Sequence, residues 1–217
     1  MGDIIKMSCF GKCLSCVFCD CLCCECNCVI FPAYMTNNDS MPEEYTDHDL
    51  PFQRFSTFNV VPKPLKKKGK SIPYMELTSV RAQKSPKCFV YFHGNAENLG
   101  IVDSFLMPIV EQTGIKIYAI EYPSYGAYET CCPACISNTI KEDALLFYDH
   151  LTSSGKRHED IYVMGRSIGS GGASYLANQR QVPLLILVSP FDTIRDVAMT
   201  MVGCIGCIVK QHFNNEE

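Results

Sequence analysis

A serine between two glycines is the feature of this sequence most able to do chemistry. Residues 165–169 read GRSIG, which places Ser167 in a G-x-S-x-G pattern. An apolar run precedes the pattern and small residues follow it, so a buried strand, a sharp turn and a helix are predicted in that order. Such a turn points the serine hydroxyl outward as a nucleophile, and its glycines let strand and helix approach closely. The alternative is an ordinary serine in a glycine-rich turn that binds phosphate.

A second turn is suited to stabilising the charge that a nucleophilic serine creates. Attack on an acyl carbonyl produces a negative oxygen, which fixed backbone N–H groups stabilise. The sequence HGNAEN follows another apolar run at residues 88–92, and the backbone amides of Asn95 and Ile168 are the predicted oxyanion donors. His93 is not the expected general base, because it belongs to this turn and precedes the serine in the sequence. We expect it to be a structural histidine, hydrogen-bonded within the loop.

Four short motifs carry a family resemblance through their order and spacing. They are HGNAEN at residues 93–98, YPSYG at 122–126, GRSIG at 165–169 and VSPF at 188–191. Over residues 52–210 the chain resembles the alpha/beta-hydrolase domain-containing 17 group, and Bem46-like hydrolases share the HGNA-type and GRS-type motifs. The resemblance implies an alpha/beta-hydrolase fold with Ser167 as nucleophile. It also implies a membrane-attached serine hydrolase that removes palmitate from protein cysteines, so that its partners are S-acylated protein substrates.

The sequence after the serine departs from that family. The fold orders its catalytic triad as serine, acid and histidine along the chain, and the family places the acid and the histidine after two further strands. Here the residues after Ser167 include one histidine, His212, and Asp192 is the carboxylate that could act as a relocated acid. Because a serine without its base is a weak nucleophile, little activity is expected of these 217 residues alone. A catalytically impaired, acylated membrane adaptor is therefore one alternative, and a generic esterase or peptidase-like enzyme is another.

The first 28 residues are rich in cysteine. No uninterrupted apolar signal run is present, so disulfides of a secreted protein are not expected. Two C-x-x-C pairs have the spacing of zinc ligands, but cysteines recur at nearly every spacing and no histidine accompanies them. S-acylation is the preferred interpretation, since several acyl chains hold a protein stably on a membrane. The candidate positions are Cys9, Cys13, Cys16, Cys19, Cys21, Cys23, Cys24, Cys26 and Cys28.

Composition divides the chain into three parts. Residues 1–35 are predicted to be a cysteine-rich segment that lies on a membrane surface, residues 36–51 a polar linker, and residues 52–217 the hydrolase domain without its C-terminal strands. Location on the cytosolic face of the plasma membrane or of endosomes follows from this interpretation. The modest net charge of −4 argues against nucleic-acid binding. Neither a cofactor nor a metal is expected.

The elements that position these motifs alternate as in a doubly wound α/β domain with a mostly parallel sheet. Strands are predicted at residues 55–61, 72–78, 88–92, 116–121, 161–164 and 184–189, with the sheet ending after the sixth. The first two should form a hairpin whose tip is the lysine-rich stretch 63–70. One helix should bury Val102, Phe105, Leu106, Ile109 and Val110 and end at Gly114. A second should begin at a capping box, Thr139–Glu142, and bury Ile140, Ala144, Leu145, Tyr148 and Leu151. An apolar lid or core helix is predicted at residues 197–209.

Overall fold

A computed structural model describes the protein at residues 54–62, 71–95, 97–123, 125–126, 128, 136–193 and 196. The cysteine-rich segment, the linker, the predicted hairpin tip at 63–70 and the predicted helix at 197–209 lie outside these residues. His212 lies outside them too. None of the described helices is long and apolar enough to cross a bilayer.

The described residues form one six-stranded mixed sheet. Its strands are β1 (Arg54–Pro62), β2 (Ser71–Ser79), β3 (Cys88–Phe92), β4 (Lys116–Ile120), β5 (Ile161–Arg166) and β6 (Leu185–Val188). Their spatial order is β1-β2-β4-β3-β5-β6. The strands β1 and β2 pair antiparallel, as does β2 with β4, whereas β4, β3, β5 and β6 run parallel to one another. The predicted doubly wound, mostly parallel α/β fold is therefore confirmed.

Helices cover both faces of the sheet. The helices are α1 (Leu99–Thr113), α2 (Ile136–Ser153) and α3 (Gly169–Gln179). Helix α1 packs on the face that carries Phe89 and Tyr91 of β3, and α2 and α3 pack on the face that carries Val90 and Phe92. Successive side chains of a strand point to opposite faces. The unbroken apolar run of β3 is thus explained, because every one of its side chains is buried.

The capping box predicted for α2 is wrong. The helix begins at Ile136, so Thr139 lies inside its first turn rather than before it. The physical reason is burial, since Ile136 and Ile140 lie one turn apart on the same side and both pack into the core. Of the predicted buried face, Leu145 is only partly buried, whereas Phe147 is fully buried in the same core.

Helix α1 matches its prediction except at Phe105 and at Ile109, which was predicted to be buried and is only partly buried. It ends at Gly114, which adopts φ 65° and donates its N–H to the carbonyl of Val110 at 2.9 Å. Phe105, predicted to be buried, is 39% exposed. Its ring instead lies 5.4 Å from the guanidinium of Arg166, so the aromatic face contacts a cation at the edge of the core rather than the core itself.

The strand β6 forms an apolar edge of the described sheet. It pairs with β5; Leu184, just before the strand, is 41% exposed and Leu185, its first residue, is 36% exposed. A strand edge with unpaired backbone groups and apolar side chains is able to accept a further strand. Among the described residues β6 is thus the last strand of the sheet, and its side chains leave apolar surface exposed.

Candidate active site

Ser167 occupies a strained turn between β5 and α3. Its φ of 49° lies in the left-handed region, which a residue with a side chain rarely adopts and which costs free energy. Two hydrogen bonds hold the turn: the Ser167 N–H donates to the carbonyl of Val188 in β6, and the N–H of Ser170 donates to the Ser167 carbonyl, both at 2.9 Å. Ser167 is exposed whereas Ile168 is buried. The predicted strand, turn and helix are confirmed, and the serine stands at the carboxyl edge of the sheet.

The two glycines of the GRSIG motif are required by close backbone contacts. A Cβ on Gly169 would lie 2.2 Å from the carbonyl oxygen of Phe92 and 2.6 Å from that of His93. A Cβ on Gly165 would lie 2.6 Å from the carbonyl oxygen of Gly169 and 2.7 Å from the Cβ of Ala173. All four of these distances from an added Cβ are shorter than the contacts that a real Cβ makes. The absence of side chains therefore lets α3 begin directly against the end of β3.

The turn after β3 lies beside the serine. β3 and β5 are neighbouring parallel strands, with Phe92 opposite Gly165, so their C-terminal ends lie about 5 Å apart at one edge. The turn at residues 93–95 therefore faces the turn at Ser167. The predicted oxyanion donors, the amides of Asn95 and Ile168, belong to these two turns. Their role stays a prediction.

His93 fixes the turn from the buried side. Its imidazole is fully buried, with Nδ1 2.9 Å from the carbonyl oxygen of Gly94 and Nε2 2.9 Å from Oε1 of Glu121. Glu121 also accepts the N–H groups of Tyr122 and, at the start of α1, Leu99. Each imidazole nitrogen thus lies within hydrogen-bond distance of an oxygen atom, and the Glu121 carboxyl group joins the His93 ring to two backbone N–H groups. His93 is a structural residue, as expected.

The contact between the His93 ring and the Gly94 carbonyl sets the direction of the Asn95 N–H, the predicted oxyanion donor. In a trans peptide the C=O and the N–H point in opposite directions, and no described peptide bond is cis. His93 binds the Gly94 carbonyl on the buried side. The Asn95 N–H of the same peptide group therefore points away from the His93 ring.

Two tyrosines of the YPSYG motif complete the support of this turn. Tyr122 stacks on the His93 ring, with centroids 3.9 Å apart, and donates its hydroxyl to the His93 carbonyl at 2.8 Å. The Tyr125 hydroxyl donates to Oδ1 of Asn95 at 2.9 Å. Burial raises the pKa of Tyr122 well above its ordinary value, so its hydroxyl remains a donor. The sequence identified this motif only as part of the family resemblance, with no sign that its hydroxyls hold the turn.

An ion pair links the two turns from the other side. Arg166, next to the serine, pairs with Oε1 of Glu97. Oε2 of the same carboxylate accepts the N–H of Gly94 at 2.7 Å. Neither charged residue was predicted to matter, because their positions are far apart in the sequence. The sign that could have identified them is that each belongs to one of the two motifs of the site.

The described histidines do not provide a general base for Ser167. Both ring nitrogens of His93 have partners in the buried network. His150 lies in the last turn of α2, and His158 lies just before β5, where its Nδ1 is 2.8 Å from the Tyr148 hydroxyl. These two residues are thus at the amino edge of the sheet, separated from the serine by the length of β5, about 20 Å.

The segment after β6 holds the candidate acid. Asp192 is exposed in the chain that follows the strand, and no contact between it and Ser167 is described. Ser189, at the end of β6, is a second serine in the left-handed region, with φ 50°. The left-handed backbone at Ser189 turns the chain at the same edge of the sheet as the nucleophile candidate. No feature of the sequence indicated it.

Comparison with known proteins supports the fold and the relationship. The chain is 29% identical to protein bem46 of Schizosaccharomyces pombe over 142 residues, covering 64% of this chain and 46% of that protein. It is 28% identical to human alpha/beta hydrolase domain-containing protein 17B over 120 residues, covering 55% and 41%. The chain thus spans about half the length of these relatives. No protein-family profile matches it.

A solved structure shares the fold. It is a putative hydrolase from Agrobacterium vitis S4, with a TM-score of 0.51 at 14% identity, covering 70% of this chain and 57% of that one. At this identity the likeness concerns the fold alone. The motif resemblance predicted from the sequence is confirmed by the two curated relatives. The chain is therefore related to the Bem46-like alpha/beta-hydrolase domain proteins.

Proposed function

We propose that this chain is the nucleophile-bearing part of a serine hydrolase that cleaves acyl thioesters or esters, with S-palmitoylated proteins as the substrate class. The observation that carries the proposal is the exposed Ser167 at φ 49°, beside the turn that follows β3. Strain of this kind is kept where the surrounding structure requires it, and it concentrates at active sites.

The proposed reaction has two steps. The Ser167 Oγ attacks the thioester carbonyl, and the amides of Asn95 and Ile168 stabilise the oxyanion of the tetrahedral intermediate. Collapse of this intermediate breaks the C–S bond. The departing cysteine thiolate takes up a proton, and the acyl group remains on the serine as an ester. Water then cleaves this ester, which releases the fatty acid and restores the hydroxyl. The histidine that exchanges these protons is proposed to lie outside the described residues, with Asp192 as one candidate for its acid.

The thioester class is supported by two features taken together. The four motifs resemble those of depalmitoylating hydrolases, and the amino-terminal cysteines suit attachment to a membrane. An enzyme held on a membrane face meets lipid-modified cysteines at high effective concentration. Fatty acyl groups on membrane proteins are accordingly favoured over soluble esters as substrates.

Turnover of an S-palmitoylated peptide tests this function. Protein expressed from its complete genomic reading frame should release free palmitate, and Ser167→Ala should reduce the rate by about a millionfold. Ser189→Ala, which removes the other strained serine, should leave the rate unchanged. Hydrolysis of short p-nitrophenyl esters without release of palmitate would contradict the thioester assignment and favour a generic esterase.

A catalytically impaired, acylated adaptor is the second candidate. The observation that favours it is that the described residues bring no histidine to Ser167. Equal and negligible turnover by the wild-type protein and Ser167→Ala, with the protein still on membranes, would establish this alternative.

Membrane attachment through the cysteine-rich segment is a separate proposal with its own test. Wild-type protein should show hydroxylamine-sensitive acyl groups and sediment with membranes, because several acyl chains give stable attachment where one is marginal. Replacement of the nine cysteines between Cys9 and Cys28 by serine should abolish both. Serine at Cys131, Cys132 and Cys135 is the matched control and should change neither. Stoichiometric zinc in a protein that remains in the soluble fraction would support the metal alternative instead.

A further inference from the structure

The carboxylate of Glu97 contacts both turns of the site at once. One of its oxygens accepts the N–H of Gly94 at 2.7 Å, and the other pairs with the guanidinium of Arg166. Gly94 immediately precedes the predicted donor Asn95, and Arg166 immediately precedes the predicted nucleophile Ser167. A single side chain therefore joins the backbone of one half of the site to the residue that begins the other half.

We infer that Glu97 is a positioning residue, which together with Arg166 fixes the distance and orientation between the Gly94 turn and the serine turn. The inference rests on the proposed function, since it assigns these two residues to the alignment of the amides of Asn95 and Ile168 on one oxyanion. It concerns no contact between Glu97 and the substrate.

The need for such a link follows from where the two donors originate. One amide belongs to the turn after β3 and the other to the turn after β5, and the ladder between these strands ends with Phe92 opposite Gly165. Beyond that point backbone pairing between the two strands no longer fixes the turns. Oxyanion stabilisation depends on donors held in place before the reaction, and a displacement of about 1 Å can cost a hundredfold in rate.

The surroundings of the pair favour a defined geometry. Glu97 is 19% exposed and Arg166 41% exposed, so the carboxylate is largely shielded from solvent. The Arg166 guanidinium lies over the ring of Phe105, which restricts its movement. An N–H that donates to a carboxylate forms a stronger hydrogen bond than one between neutral groups. His93 holds the carbonyl of Gly94 from the opposite side, so Gly94 is held at both its N–H and its carbonyl, and this carbonyl belongs to the peptide group that carries the Asn95 N–H.

Three substitutions separate positioning from a merely structural ion pair. Glu97→Ala removes both contacts, whereas Glu97→Gln keeps an oxygen that can accept the Gly94 N–H but loses the charge that attracts Arg166. Arg166→Met removes the link from the serine side. Glu76→Gln is the matched control, because Glu76 forms a comparable half-buried ion pair with Lys116 on β2 and β4.

Two readouts are compared. The first is hydrogen exchange of the Gly94 amide in the 217-residue chain, which depends on the Glu97 contact and not on catalysis. Loss of a hydrogen bond to a charged group should accelerate this exchange about tenfold or more in Glu97→Ala. Glu97→Gln should accelerate it less, because its amide oxygen still accepts the N–H, and Glu76→Gln should stay near the wild-type rate. The second is palmitoyl-thioester turnover by protein from the complete reading frame, read as kcat and KM separately.

The inference predicts a specific pattern in the turnover. Glu97→Ala and Arg166→Met should lower kcat about a hundredfold with little change in KM. Glu97→Gln should show much of the same decrease in kcat, because the link to Arg166 is weakened. Glu76→Gln should keep the wild-type kcat. Unchanged Gly94 exchange in Glu97→Ala, or kcat equal to that of Glu76→Gln, would overturn the positioning role. If wild-type protein shows no turnover, the proposed function fails, and the Gly94 exchange alone decides whether Glu97 fixes the turn.

Discussion

Gly169→Ala should destabilise the protein more than any other single methyl group added at the site. The new Cβ would lie 2.2 Å from the carbonyl oxygen of Phe92 and 2.6 Å from that of His93. Both contacts are with backbone, which cannot rotate away as a side chain would. Relief of the overlap therefore requires α3 to move from the end of β3. We expect a loss of about 3 kcal/mol in the free energy of unfolding, or a decrease of roughly 6–12 °C in Tm.

Chemical and thermal unfolding of the variant measure this effect. Asn178→Ala is the matched control, since Asn178 is exposed in the same helix and should change stability by no more than about 0.5 kcal/mol. Gly165→Ala should resemble Gly169→Ala, because its Cβ would also meet backbone, at 2.6 Å from the Gly169 carbonyl oxygen. A Gly169→Ala protein as stable as Asn178→Ala would mean that strand and helix do not meet as described.

Features that depend on neighbouring residues were predictable from the sequence. The apolar run before GRSIG, the glycines within it and the small residues after it specify a strand, a turn and a helix locally. The same holds for β3, whose unbroken apolar run indicates a strand covered on both faces. The end of α1 at Gly114 also follows from one residue and its left-handed conformation. These elements account for the confirmed fold and for the position of Ser167.

Features that depend on distant residues were not predictable. Glu97 and Arg166 are separated by 69 residues, and His93 and Glu121 by 28. Membership of a motif marks Glu97, Arg166 and His93 locally, but it does not identify their partners, because only the order of the strands brings each pair together. The start of α2 was misplaced for a related reason. The motif at Thr139 satisfies a local rule for a helix start, but burial of Ile136 in the core extends the helix backward.

Loss of the serine hydroxyl should have the largest effect on chemistry. Ser167 is the proposed nucleophile, and it is exposed in the GRSIG turn. No nearby described residue has the same geometry. Ser189 shares the left-handed backbone but follows β6 rather than the GRSIG turn. Replacement of Ser167 by Ala should therefore lower covalent acyl transfer by about a millionfold, with little effect on stability since the side chain is exposed.

Covalent labelling with a fluorophosphonate, followed by mass spectrometry of the labelled peptide, tests the central claim most directly. In protein from the complete reading frame the phosphonyl group should be found on Ser167, and Ser167→Ala should remain unlabelled while Ser189→Ala is labelled at the wild-type rate. Equal labelling of wild-type protein and Ser167→Ala, or an adduct on another residue, would contradict the assignment of Ser167 as the nucleophile.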